Sequence, residues 1–179
     1  THSNIRNFTV TDSTFTNTKA KTFGGAITSN NNGDFIVSNS SFINTRSIMS
    51  GGTIYANNKG DLIVSNSSFI NTTSLSGSGG AIYSGDNIRN FTVTDSIFTN
   101  TTADKFGGAI CNYGVNFTVS NSCFINTTST GNGGAIYSEG EVVNVIDSIF
   151  INTTSLSGSS GAICNYGVNF TVSNSCFIN

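Results

Sequence analysis

The sequence predicts an all-β fold: a right-handed parallel β-helix of six to seven coils, with three strands in each coil of about 27 residues. Three observations predict it. A Gly-Gly-Ala-Ile word recurs at Gly24, Gly79, Gly107 and Gly133, as Gly-Gly-Thr-Ile at Gly51 and as Ser-Gly-Ala-Ile at Ser160, successive copies lying 27, 28, 28, 26 and 27 residues apart. An aromatic-x-valine word and a Phe-x-Asn word keep the same period. No ten-residue stretch combines helical periodicity with caps.

Strand B is the aromatic-x-valine word. It opens on Phe8, Phe35, Leu62, Phe91, Phe117, Val143 and Phe170. Period-two alternation puts Phe35 and Val37 on one face and Ile36 and Ser38 on the other. Two residues after the B valine comes Asp12, Asn39, Asn66, Asp95, Asn121, Asp147 or Asn174, each followed by Ser. Asx tolerates the left-handed conformation and bonds local backbone, so this row predicts a tight corner with side chains stacked as an amide ladder.

Strand C is the Phe-x-Asn word. Its phenylalanines, Phe15, Phe42, Phe69, Phe98, Phe124, Phe150 and Phe177, predict one stacked core ladder, and Ile27, Ile54, Ile82, Ile110, Ile136 and Ile163 of strand A another. The alternation places Asn44 on the same face as Phe42. Strand A follows the double glycine, where a positive φ turns a second corner without a Cβ in the way. Coils stacked at roughly 4.8 Å make a rod about 30 Å long. Leucine-rich, ankyrin and tetratricopeptide architectures lack their signature leucines and helices here.

Residues 1–179 read as a single β-helix repeat domain, a segment of a longer protein or a filament subunit that stacks end to end. Both Thr1 and Asn179 fall in mid-period, and the missing strand A after Asn179 is one a neighbour would supply. The chain also carries internal duplications. Asn4–Ser13 recurs identically as Asn87–Ser96, and Cys111–Asn126 as Cys164–Asn179.

Composition excludes several functions. Charged residues are 9% and the net charge is −2, so there is no electrostatic footprint for nucleic acid. No apolar run reaches the roughly 18–20 residues of a membrane span. The single histidine, His2, leaves no Ser-His-Asp or Cys-His set to assemble. Asp12, Asp95 and Asp147 share their slot with Asn39, Asn66, Asn121 and Asn174, which speaks for turn chemistry over catalysis. The sequence therefore predicts no catalytic residue, no metal site and no cofactor.

Cys111, Cys123, Cys164 and Cys176 lack the short spacing of zinc ligands. Cys111 and Cys164 lie two coils apart, roughly 9.6 Å by strand spacing, beyond the ~7 Å Cα limit of a disulfide. Cys111 takes the slot of Tyr55, Tyr83 and Tyr137, and by parity both cysteine slots face outward. Free thiols are favoured; within-coil disulfides, intermolecular bonds and metal binding stay open, and an extracellular location favours disulfides.

Of ten Asn-x-Ser/Thr sequons, those entering strand B (Asn7, Asn90, Asn116 and Asn169) are the candidate N-glycosylation acceptors. The Tyr55/Tyr83/Tyr137 row is a candidate glycan contact. Outward threonines such as Thr9/Thr11 and Thr92/Thr94 resemble an ice-binding ladder, but Ile36, Ile63, Asn144 and Ile146 break it.

Gly-Gly-Ala-Ile coupled to Phe-x-Asn in Ser/Thr/Asn-rich coils resembles the repeats of chlamydial polymorphic membrane protein passengers, whose own word is Phe-x-x-Asn. It equally resembles the β-helical adhesin-like surface proteins of methanogenic archaea. The resemblance covers essentially the whole chain. It implies a secreted or cell-surface structural and adhesive protein rather than an enzyme. The expected partners are further copies, stacked end to end, and host or cell-surface glycans or proteins. The alternative is a carbohydrate-active or glycan-binding β-helix.

Overall fold

A computed structural model describes residues 7–179; His2 lies outside them. The chain winds as a parallel β-solenoid in which every strand pairs in register with its counterpart one coil away. Sheet B has seven strands, from Phe8–Thr11 to Asn169–Ser173, and sheet C has seven, from Thr14–Thr16 to Cys176–Ile178. Sheet A has six, from Ile27–Ser29 to Ile163–Asn165.

The three-strand coil needs one correction. A fourth parallel sheet, D, runs between C and A as six two-residue strands from Lys19–Ala20 to Thr154–Ser155. Its two-residue words, such as Arg46-Ser47 and Thr73-Ser74, carry at most an alanine (Ala20, Ala103) and are too short for an alternation to read. Backbone pairing alone makes the sheet: Arg46 N donates to the Thr18 carbonyl at 2.9 Å and Thr73 N to the Thr45 carbonyl at 3.0 Å.

The core is the set of ladders between the sheets. Phe42, Phe69, Phe98, Phe124 and Phe150 are fully or almost fully buried. Their rings stack along the axis with centroids 4.7–5.0 Å apart and planes within 1–9°. Parallel in-register pairing puts each ring on its equivalent, and burying a phenylalanine contributes about 2–3 kcal/mol.

Two glycines fix the D-to-A corner in different ways. The first takes a positive φ, as at Gly79 (68°), and Ser160 accepts the same conformation at 65°. The second, as at Gly80, keeps ordinary φ but lies so close to the next coil that a Cβ would sit on the Gly108 carbonyl oxygen. One glycine serves the turn and the other the stacking distance.

Candidate functional site

Three asparagine-rich rows run along the rod, and their side chains have different employment. At the B-to-C corner, Asp12, Asn39, Asn66, Asp95, Asn121, Asp147 and Asn174 all hold left-handed φ of 45–49°. The expected amide ladder is absent from this corner. The coil-to-coil bonds come instead from the serine that follows: Ser40 N donates to Ser67 Oγ, Ser67 N to Ser96 Oγ and Ser96 N to Ser122 Oγ, each at 3.2 Å. Each serine hydroxyl in turn donates to the carbonyl two residues back, as Ser67 does to Ser65 at 2.8 Å. The Asx residue supplies the backbone conformation, and its side chain stays exposed.

The amide ladder stands one corner further on. Asn17, Asn44, Asn71, Asn100, Asn126 and Asn152 of the Phe-x-Asn words also turn left-handed, with φ of 50–58°. The turn swings Asn44 out of the face it shares with Phe42 in a regular strand. Asn44 Nδ2 donates to Asn17 Oδ1, and so on through Asn152 to Asn126, each link 3.1 Å. An amide is both donor and acceptor, so the row propagates; a carboxylate, acceptor only, would break it. The slot is Asn in every copy, while the B-to-C corner alternates Asp with Asn.

The third row precedes strand B. Asn90 Nδ2 donates to Asp61 Oδ1 at 3.0 Å and Asn116 Nδ2 to Asn90 Oδ1 at 2.9 Å. Asn7 Oδ1 accepts from Asp34 N at 3.3 Å. Of the candidate glycosylation acceptors, Asn90 and Asn116 therefore each have one amide hydrogen engaged, while all four are exposed. Arg89 lies 4.0 Å from Asp34 and 3.6 Å from Asp61 in an exposed pairing, a kind worth little on its own.

Charge is segregated around the rod. The outward positions of sheets B and C, such as Ile36, Ser38, Ser41 and Ile43, carry no charge in any coil. At the corner between them stand only Asp12, Asp95 and Asp147. Among the described residues, Lys19 and Arg46 lie on sheet D, Lys21 and Lys105 between sheets D and A, and Lys59 and Arg89 between sheets A and B, Arg89 directly before the strand Asn90–Thr94. Along the B-to-C corner, which carries carboxylates but no cation, runs an open groove of about 500 Å³, lined by Asn39, Ser40, Ser41, Asn66, Ser67, Ser68, Asp95 and Ile97.

Sheet A carries a second layer outside the core. Tyr55 and Tyr83 stack at 4.9 Å and 5°. Where strand A has Cys111 or Cys164 in the tyrosine slot, Tyr113 and Tyr166 come in from the following loop. Tyr113 packs between Tyr83 and Tyr137 at 5.6 and 6.0 Å, and Tyr166 beside Tyr137 at 5.7 Å. From the segment before the double glycine, Phe23 lies tilted against Tyr55 at 4.4 Å and Phe106 stacks on Tyr137 at 4.7 Å. The ring faces are largely occupied by neighbouring rings, so a glycan at Tyr55, Tyr83 and Tyr137 would meet edges and hydroxyls.

This layer corrects the reading of the cysteines. Cys111 and Cys164 point outward from the sheet yet are buried, clustered with Tyr137 under the rings of Tyr83, Phe106 and Tyr113. All four thiols are free. Burial pushes the Cys111 thiol up to about 12, against opposing hydrogen bonds from Ser78 and Tyr113. Burial likewise raises Tyr83, Tyr113 and Tyr137, the last also donating to Glu139 at 2.6 Å. Among the described residues no three His, Cys, Asp or Glu side chains gather as a metal cluster. No helix among them is long and apolar enough to cross a membrane.

Residues 120–139, covering one B-to-C corner, its Phe124-Ile125-Asn126 word and the following Gly133-Gly134-Ala135-Ile136, match the Chlamydia polymorphic membrane protein (Chlamydia_PMP) repeat. The match and the parallel solenoid together fit a β-helix repeat surface protein. It points to association with the cell surface or outer membrane. No curated protein and no solved structure matches the chain.

Proposed function

We propose that the chain is a section of an extracellular, non-enzymatic β-solenoid rod that carries an adhesive surface at the cell exterior. One observation carries this reading: the register-matched ladders of four sheets continue from coil to coil through all the described residues, and one coil of them matches a surface-protein repeat. The repeated residues are spent on length and on side-chain rows, and the outward positions of sheets B and C are neutral. Because every coil offers the same ladders, further coils add to the stack without a new kind of contact. The same repeated ladders are the basis for end-to-end association of copies.

The test is made on intact cells that produce the protein. Antibodies raised against the folded chain should label them without permeabilisation, and external protease should remove the label. Labelling that requires permeabilisation overturns the surface assignment. Electron microscopy of the purified chain tests association separately: rods lengthening in steps of about 30 Å support stacking of copies, and rods of one length at all concentrations refute it.

A further inference from the structure

We propose that the groove along the B-to-C corner is the adhesive site, and that it takes an extended, uncharged, hydroxyl-rich polymer, a neutral polysaccharide, laid along the rod axis. The proposal rests on the surface-rod reading and names the ligand class of that surface.

Side-chain employment singles out this row. At the C-to-D corner the amides are consumed in their own ladder, as Asn71 donates to Asn44 and Asn100 to Asn71. Before strand B, Asn90 and Asn116 are likewise bonded from coil to coil. At the B-to-C corner the neighbouring serines do the structural bonding, and the side chains of Asn39, Asn66 and Asp95 stand exposed along the groove. The corner conformation needs only an Asx backbone. It leaves one amide or carboxylate per coil, repeated every ~4.8 Å, about the length of one sugar unit in an extended chain.

The chemistry of the row selects the ligand. Asn offers both a donor and an acceptor, and Asp an acceptor, so a hydroxyl, which is also both, is matched at every step. A polyanion is repelled by Asp12, Asp95 and Asp147 and finds no Lys or Arg on the flanking outward faces of sheets B and C. A polycation meets only these three carboxylates, spread over separate coils. Ile97, 48% exposed, gives the groove an apolar wall for the C–H face of a sugar ring. The volume of about 500 Å³ lies in the range of small-ligand sites.

The experiment measures binding of the folded chain to cellohexaose, chitohexaose, mannan and xylan, with heparin and polygalacturonate as polyanions. Circular dichroism verifies the fold of each variant. The variant Asn39→Gly/Asn66→Gly/Asp95→Gly keeps the left-handed corner, since glycine accepts it, and removes the polar row. A second variant, Ser68→Arg, fills the groove from an outward position. At least one neutral polymer should bind, each groove variant should weaken it tenfold or more, and Asn100→Gly and Tyr83→Ala should leave it unchanged. Absence of binding to every neutral polymer overturns the proposal. So does preference for heparin, or binding lost on Tyr83→Ala and kept in the glycine variant. None of these results alters the antibody labelling of intact cells, so the surface reading stands or falls separately.

Discussion

The two left-handed corners that flank sheet C make the same demand on the backbone and meet it with different divisions of labour. At the C-to-D corner one residue does everything: Asn100 takes φ of 53° and its amide carries the link to Asn71 at 3.1 Å. At the B-to-C corner two residues share the work. Asp95 takes φ of 49°, and Ser96, buried, carries the links: its N–H donates to Ser122 Oγ of the next coil, and its hydroxyl accepts from Ser67 N of the preceding coil while donating to the Thr94 carbonyl. Separating conformation from connection frees one side chain per coil. It also explains why the first of these slots holds Asn throughout and the second alternates Asn with Asp.

The division can be broken at its strongest point first. Ser67→Ala removes a buried hydroxyl that donates to Ser65 and accepts from Ser40 N. It leaves a buried N–H without its partner, and unfolding should become easier by about 1–3 kcal/mol, the cost of an orphaned buried group. Denaturant titration measures it; a change under ~0.5 kcal/mol would show that the serine row does not hold this corner.

Asn100→Asp should rank next. The carboxylate puts an acceptor against Asn71 Oδ1 where an N–H was donated. The row is exposed to water, so the expected loss is about 1–1.5 kcal/mol at neutral pH. Its pH dependence has a definite sign. The neighbouring carbonyl oxygen disfavours the charged form, so the folded-state pKa of the introduced group lies above its unfolded value of about 3.9. Protonation is then favoured by folding, and the deficit should shrink as pH falls through the folded pKa and level off at its smallest below the unfolded one. A deficit independent of pH from 7 to 4 would mean that the amide donor is not what the ladder uses. Asn100→Gly keeps the conformation and deletes the link without introducing charge, and should cost less, about 0.5–1.5 kcal/mol by thermal unfolding.

The same contrast separates what could be read in the sequence from what could not. The solenoid, its period and its Phe ladder were legible because each is a word repeated in one slot, and in-register stacking turns a repeated slot into a physical row. Phe98 lies between Phe69 and Phe124 for that reason alone. Sheet D was hidden because Thr73-Ser74 has no apolar pattern and is held by backbone bonds. The asparagine ladder was hidden because alternation assumes a strand, and a left-handed Asn44 leaves the strand before its side chain is placed. The aromatic layer on sheet A draws its rings from different slots. Tyr113 and Tyr166 follow the cysteines by two residues, and Phe23 and Phe106 precede the glycines. Parity showed Cys111 pointing outward from the sheet, and only the assembled loops show it to be covered. The one signal for that cover was the Cys-Asn-Tyr word, present in both cysteine coils and nowhere else in the chain.

The smallest expected effect is the most discriminating. Asn121→Asp makes the same chemical change as Asn100→Asp, in a residue with nearly the same φ, 48° against 53°. Its side chain is exposed and outside any coil-to-coil amide ladder, and Asp already occupies the equivalent slots Asp95 and Asp147 one coil to either side. Repulsion between exposed carboxylates about 4.8 Å apart along the axis is screened by water and salt, so stability should change by under ~0.5 kcal/mol at physiological ionic strength. A loss comparable to that of Asn100→Asp would mean that both corners use their Asx side chains to join coils. The row along the groove would then be structural, with nothing left over to offer a ligand. A near-zero loss, measured beside a clear one at Asn100, assigns the two rows to different tasks on energetic grounds.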